Sequence, residues 1–267
     1  MQALYSPQAK AGFELFDMNK LPWQATANSG LWLKPVRMDN VRGHYLGLVR
    51  FDAMASSGLH QHQGVATSFV IQGGLTDYHG SVRLHEAGIN TLGSTHDAVA
   101  YENTVLVSRL EAPVTYPPAS AISGIHAGSR YEDFCNPDPL RPPEVNVPVD
   151  QLENVATGVA GVSRQAIFDY SGTGSNHRMV QLKLLPGACV DFLVVQATEF
   201  WVRGGNLLVN QQSAQANTFV VCEPGAAVRL AAPFGALVLG WAEGREQPLA
   251  GSAHAASDLF GFTALQG

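Results

Sequence analysis

Charge is scarce in this chain. Asp, Glu, Lys and Arg make up 14% of its 267 residues, against about 25% in an ordinary soluble protein. No basic block exists and the net charge is −6, so nucleic acid and anionic membrane are poor partners. Cysteine is scarce too, with only Cys135, Cys189 and Cys222. An odd trio without a CxxC argues against a disulfide scaffold and against a cysteine zinc knuckle. Long apolar runs are missing: the longest, "PFGALVLGW", is too short to span a bilayer. The N-terminal "MQALYSPQAKAGFELF" lacks a basic segment followed by an apolar one, so no signal peptide is expected. These absences predict a soluble, cytoplasmic protein whose partner is a small molecule. Long helical periodicity is absent as well. Only "VDQLENVA" suggests a turn or two, with Asp150 as N-cap and Glu153 in capping-box position.

What is present is strand-like. "GLWLKPVRM", "HYLGLVRF", "SFVIQ", "NTVLVSRL", "RQAIFDY", "MVQLKLL" and "NTFVVC" are rich in β-branched and aromatic residues and bounded by Gly, Asn, Asp or Pro. Such regularly spaced short strands mean a sandwich or barrel. Eight of the 15 prolines fall between Glu111 and Pro148, and proline removes ladder donors, so this stretch is not a sheet interior. It reads as a linker (111–148) between an N-terminal β domain (1–110) and a C-terminal one (149–267). The low charge also suggests a buried subunit contact, and a homodimer is the expectation.

The two β domains repeat one another. "TSFVIQGG" begins at Thr67 and "TEFWVRGG" at Thr198, an offset of 198 − 67 = 131 residues. Both run Thr, Phe two residues on, apolar residues, one long polar residue and Gly-Gly. Further on, "GINTLGSTH" resembles "QANTFVVCEPGAA". Two copies of one β unit is the economical reading.

The first copy carries chemistry. In "GLHQHQGVATSFVIQGG", His60 and His62 lie two apart, so on a strand both face one side while Gln61 faces the other. Imidazoles so placed can take two adjacent positions on a metal, and His96 in "GSTHDAV" is the natural third. The offset carries His60 to Asp191, His62 to Leu193 and His96 to about Ala227. The second copy therefore loses every imidazole, which argues that the trio serves a metal rather than packing.

"GLHQHQGVATSFVIQGG" followed by "AGINTLGSTH" resembles the two motifs of the cupin superfamily, small antiparallel jelly rolls with a metal in the mouth. The Glu frequent in the first motif is missing; its slot falls on Thr67. The lead-in "LPWQATANSGLWLKPVRMD" is similar to that of cupin dioxygenases that cleave acetylacetone or dihydroxyacetophenone. The second half more distantly resembles the cupin domain of zinc-dependent anti-sigma factors, without their cysteine/histidine zinc domain. The resemblance implies an all-β bicupin, two jelly-roll barrels in tandem, the second degenerate and metal-free. It also implies three histidines on ferrous iron, although imidazoles also bind Zn2+, Ni2+ or Mn2+ and the sequence does not choose among them.

Around this site, Thr67, His79 and Glu102 are the candidate catalytic residues. Glu102 is placed to accept from the outer nitrogen of His96, and His79 to act as fourth ligand or proton carrier. Tyr45, Phe69 and Tyr101 are candidate substrate-binding walls, with Phe51. His85 is expected in solvent, His126 and Tyr131 in the linker, and Glu199 at the rim of the second barrel. Arg83 and Arg109 could hold an anion. Three readings stay open: an iron dioxygenase cleaving a small diketone or hydroxyketone; a non-redox metal lyase or isomerase acting on a keto or sugar acid; and a metal-bearing sensor or ligand-binding module.

Overall fold

The computed structural model describes residues 12–77, 80–116, 146–169, 177–256 and 259–261. Its regular structure is β-strand apart from one 3-10 turn at Val149–Gln151, which is what becomes of the helical signal in "VDQLENVA". No helix among the described residues is long and apolar enough to cross a membrane. The chain divides into two compact units, Leu21–Asp150 and Gln151–Gly267 with Pro7–Lys20.

The earliest strand, β1 (Phe13–Asp17), belongs to the second unit. The first unit is built from β2 (Leu31–Asp39), β3 (His44–Phe51), β4 (His60–His62), β5 (Ala66–Gln72), β6 (Leu75–Asp77), β7 (Glu86–Asn90), β8 (Thr95–His96), β9 (Thr104–Leu110), β10 (Val114–Thr115) and β11 (Asn146–Pro148). Its main sheet runs β11-β7-β5-β9-β3-β2, and a second sheet runs β8-β4-β10. The second unit is built from β12 (Val162–Asp169), β13 (Arg178–Leu184), β14 (Ala188–Leu193), β15 (Thr198–Val209), β16 (Thr218–Cys222), β17 (Ala227–Ala232), β18 (Ala236–Ala242) and β19 (Gln247–Pro248). There the pairing order is β1-β16-β15-β18-β13-β12, with β17-β14-β19 as the other run.

The two orders are the same, strand for strand, but the edge strand comes from a different part of the chain in each, and in the second unit β15 also pairs with β17, joining runs that are separate sheets in the first. β11 precedes the second unit in the chain but pairs in the first; β1 precedes the first but pairs in the second. The likeness reaches single hydrogen bonds. Thr26 Oγ1 donates to the carbonyl of Leu31 at 3.0 Å, and Thr157 Oγ1, 131 residues on, donates to that of Val162 at 2.9 Å.

The interiors differ. In the second unit the core is filled: Phe192 meets Phe200 at 6.1 Å between ring centroids and Phe200 meets Phe260 at 5.9 Å. Leu259 and Phe260 of the C-terminal segment are buried in this core, and Arg178 Nη1 secures them by donating to the carbonyls of Phe260 and Gly261. Each such side chain contributes about 1.5–3 kcal/mol by leaving water. The first unit keeps a cavity of about 420 Å³ instead.

The repeated Gly-Gly marks a tight crossing. Gly205 has φ +80°, and a Cβ there would lie 2.2 Å from the carbonyl oxygen of Gly235. Gly187 has the same φ, but a Cβ would meet nothing within 4 Å. Gly205→Ala should therefore cost more than about 2 kcal/mol of unfolding free energy, while Gly187→Ala costs about 1 kcal/mol from backbone strain alone. Urea titration followed by tryptophan fluorescence reads both.

Candidate metal centre

β4 lies between β8 and β10, with His96 opposite His60 and Val114 opposite His62. Residues two apart share a face, so both β4 histidines turn inward. Gln61, between them, turns outward and donates through Nε2 to the carbonyl of Gly93 and to Thr95 Oγ1, each at 3.2 Å. His62 binds the loop before β8 through its backbone, N–H to Ser94 O at 2.9 Å and O from Gly93 N–H at 2.7 Å. The strand is thus held by its outer face and its main chain, leaving its inner side chains free to converge.

They do converge. His60, His62 and His96 are all buried, and one nitrogen from each lies within 4.8 Å of the others. Ring centroids are 4.9, 4.7 and 5.1 Å apart, a nearly equilateral triangle. The outer nitrogens fix the tautomers. His60 Nδ1 lies 2.7 Å from the carbonyl oxygen of Gly58; a carbonyl only accepts, so Nδ1 carries the proton and Nε2 presents a lone pair. His96 Nδ1 lies 2.9 Å from Asp77 Oδ2, with the same consequence for its Nε2. His62 Nε2 is 3.1 Å from His96 Nε2. Two lone pairs at that separation repel unless a proton or a cation lies between them.

Burial holds the protons off. It is the main cause that pushes His60 down to about 4 and His62 well below the usual histidine range, with the neighbouring imidazoles adding to it. Neutral imidazoles with lone pairs directed at one point, two of them oriented by acceptors behind, are what a divalent cation requires. The residues fit a metal.

The carboxylate behind the site is not Glu102. That side chain is exposed, and its carbonyl accepts from Thr104 Oγ1. Asp77 takes the role. It lies 19 positions before His96 and reaches it because β6 pairs with the strand just after His96, Thr76 opposite Val99. Proximity in sequence misled here, since the chain turns away after Ala100. Tyr101 is 62% exposed and stands away from the cavity. Tyr45 and Phe51 do line it, although the Tyr45 hydroxyl is committed to the carbonyl of Leu48 at 2.7 Å. Thr67 lines the cavity and Phe69 is fully buried. The bulge that follows Val70 in β5 follows Val202 in β15, so their counterparts in the unit without histidines are Glu199 and Trp201, both buried.

Arg109 is buried against Glu111, with Nη1 2.5 Å from Oε1. Arg83 is exposed. His85 is half exposed beside Asp150 and stacks on Phe69. Glu199 is buried rather than at a rim, because β15 is flanked by β16 and β18 at that residue. His79, His126 and Tyr131 lie outside the described residues. Sequence reasoning missed Asp77, the Gly58 carbonyl and Tyr116, whose ring lies 6.3 Å from that of His60 on the cavity wall.

The second unit shows what replaces the trio. His62 bonds Ser94 and Gly93 through its backbone, and Val194 bonds Ala226 and Gly225 in the same way, so Val194 stands for His62 (194 − 62 = 132) and Phe192 for His60. The residue opposite Phe192 is Val228, so Val228, and not Ala227, stands for His96; the structural offset is one residue longer than that of the sequence repeat, and all three counterparts are apolar and buried. Asp191 and Arg229 lie on the opposite face of the same strand pair. Arg229 clamps Asp191 with two bonds of 2.7 and 2.8 Å, and Ser252 Oγ donates to the same carboxylate. The guanidinium holds the Asp191 carboxyl below the usual range. Among the described residues, His60, His62 and His96 form the one group placed to hold a metal.

Two outcomes follow from this geometry. Zinc titration should give one metal per chain, lost in His60→Ala, with Asp77→Asn weakening affinity about 10–100-fold; competition with a chromophoric chelator reads both. In the metal-free protein, His60 and His62 take up protons near pH 6.5 when unfolded, but when folded His60 does so only near about 4 and His62 only well below its usual range. Their contribution to stability is present above pH 6.5 and lost as pH falls toward 4, about 3 kcal/mol for His60 alone. Melting curves of metal-free protein between pH 7 and 4 should show this, and a His60→Ala, His62→Ala double variant should show much less of it.

Residues 12–115 match the ChrR cupin-like domain. No curated protein matches the chain by sequence. Among solved structures, a candidate dioxygenase from Nostoc punctiforme superposes with a TM-score of 0.72 at 13% identity, covering 96% of this chain and 90% of its own. An oxalate decarboxylase from Lactobacillus farciminis, in complex with formate, gives 0.60 at 12% identity over 90% and 87%. A salicylate 1,2-dioxygenase from Pseudaminobacter salicylatoxidans gives 0.57 at 14% over 89% and 86%. At such identities the likeness speaks of fold. The ChrR-type match falls on the first unit, whereas the sequence reading drew its anti-sigma likeness from the second half. Residues 12–115 therefore carry a cupin-like domain, and the second unit repeats the strand order of the first, so the fold is two jelly-roll units in tandem.

Proposed function

We propose that this protein is an iron-dependent dioxygenase that cleaves a carbon–carbon bond of a small diketone or hydroxyketone. The observation that carries the reading is a trio of buried imidazoles, with no carboxylate among them, opening on an apolar cavity. Leu31, Leu33, Val49, Phe51 and Leu106 supply much of the wall. Ferrous iron held by the three would supply a Lewis-acidic centre, with full +2 charge and open positions, able to pass electrons to dioxygen.

The chain's own residues select the ligand. Without an anionic first ligand, the site favours a molecule that becomes an anion as it binds, as an enolisable diketone does. The described lining includes no lysine or arginine; its charged or titratable members besides the trio are Asp39, His44, Tyr45 and Tyr116. A ligand carboxylate pointing away from the metal would find no cation there, and a sugar acid would leave many hydroxyls unpaired against apolar walls. This weighs against the lyase or isomerase reading on a keto or sugar acid. The apolar wall also keeps bulk water from the histidines. Asp77 and Gly58 hold two rings in place while a ligand enters.

The test is oxygen uptake by protein reconstituted anaerobically with ferrous iron and then mixed with a panel of 1,3-diketones and 2-hydroxyketones. Oxygen consumed in equal amount to substrate, and lost in His62→Ala, supports the reading. Turnover without oxygen, with zinc or nickel in place, would transfer the assignment to a non-redox lyase or isomerase. Ligand binding with no reaction under either condition would leave a sensor.

A further inference from the structure

One aromatic residue beside the histidines is used by nothing so far. Tyr116 follows β10, which pairs with β4 so that Val114 faces His62 and Thr115 faces Gln61. Continued by one residue, that register sets Tyr116 beside His60, on the side opposite His96. The three side chains form a row across the sheet: His96, His60, Tyr116. Ring centroids are 4.7 Å apart for the first pair and 6.3 Å for the second. Val114 and Tyr116 both line the cavity, as residues two apart on a strand should.

Gly58 lies beside the row: a Cβ there would make only an ordinary contact, 3.8 Å from Tyr116 Cε1, and its φ of +74° suits glycine. The same glycine offers its carbonyl to His60 Nδ1. Tyr116 both lines the cavity and is 59% exposed, so it stands where the cavity meets solvent. The other tyrosine of the described lining, Tyr45, has its hydroxyl committed to Leu48.

The second unit supplies an independent comparison. β19 pairs with β14 as β10 pairs with β4, Gln247 standing opposite Leu193 where Thr115 stands opposite Gln61, and Pro248 opposite Phe192, the counterpart of His60. The counterpart of Tyr116 is therefore Pro248. Where His60, His62 and His96 give way to Phe192, Val194 and Val228, the phenol is lost with them. Phe69, by contrast, keeps a buried aromatic counterpart in Trp201. The copy that lost its imidazoles retains the buried scaffold and drops the tyrosine, so Tyr116 sorts with the chemistry rather than with the fold.

We propose that Tyr116 is a specificity-determining residue that touches the bound small molecule, its O–H donating to an anionic oxygen of a ligand held at the three histidines. This rests on reading the trio as a metal centre that accepts an exogenous oxygen ligand, and it names the residue that recognises that ligand's charge. The ligand class is a small, singly charged chelate: one oxygen bears charge that a neutral donor can share, which a phenol supplies without the countercharge a dicarboxylate would demand.

The experiment uses the full chain loaded with cobalt(II), whose visible bands report ligand entry without turnover. Two probes are titrated, acetylacetone and acetohydroxamate, against wild type, Tyr116→Phe and the control Tyr101→Phe. The expected result is a Kd about tenfold higher in Tyr116→Phe for each probe that binds, with cobalt affinity unchanged and the control like wild type. Less than a twofold change in Kd overturns the proposal, because a merely structural ring is preserved in phenylalanine. Loss of cobalt affinity in Tyr116→Phe also overturns it, by making Tyr116 a metal ligand, and so does failure of both probes to bind wild type. If wild type binds acetohydroxamate but not acetylacetone, and Tyr116→Phe weakens the former tenfold, Tyr116 keeps its role while the diketone reading falls.

Discussion

Three imidazole lone pairs forced into one buried space are the constraint on which the first unit turns. Left alone, such an arrangement is unfavourable: the nitrogens repel, and burial denies them the protons that would bridge them. A folded protein keeps it only if the surrounding structure holds each ring in place. Here the backbone of β4 is tied to the loop before β8, Gln61 is bonded outward, and Asp77 and the Gly58 carbonyl fix the outer nitrogens of two rings. A cation removes the conflict, which is why the arrangement reads as a metal site and not as an accident of packing.

The second unit solves the same problem with other residues. At the crossing of β14 and β17, where the first unit places His60 against His96, it places Phe192 against Val228. Apolar side chains packed together need no third party. The interior that the first unit leaves open is here filled by Phe192, Phe200 and the C-terminal Phe260. One strand order therefore supports a cavity with three converging histidines in one copy and a packed apolar core in the other. The duplicate acts as an internal reference: residues common to both copies belong to the scaffold, and residues changed together belong to the site.

That reference sharpens what the sequence could offer. The all-β class, the repeat at 131 residues and the inward pairing of His60 with His62 were legible, because strand alternation and turn residues are local signals. His96 was legible as a histidine in a motif-like position. Glu102 was read in a place that Asp77 holds, and Tyr101 was read as a wall while Tyr116 lies beside His60. Both misreadings share one cause. The residues chosen were near His96 in sequence, whereas those that approach the trio arrive through strand pairs of long separation, β6 with the strand after His96 and β10 with β4.

The sequence by itself determined the period of each strand, the positions of its turns and which copy holds imidazoles, since these depend on neighbours a few residues away. Only the tertiary structure decided which carboxylate stands behind His96, that Val228 is the counterpart of His96, which tyrosine borders the cavity, and that one barrel is open while the other is filled. Those outcomes depend on register between strands distant in the chain. A shift of a single residue in that register turns every side chain to the opposite face, and no local pattern in the sequence specifies it.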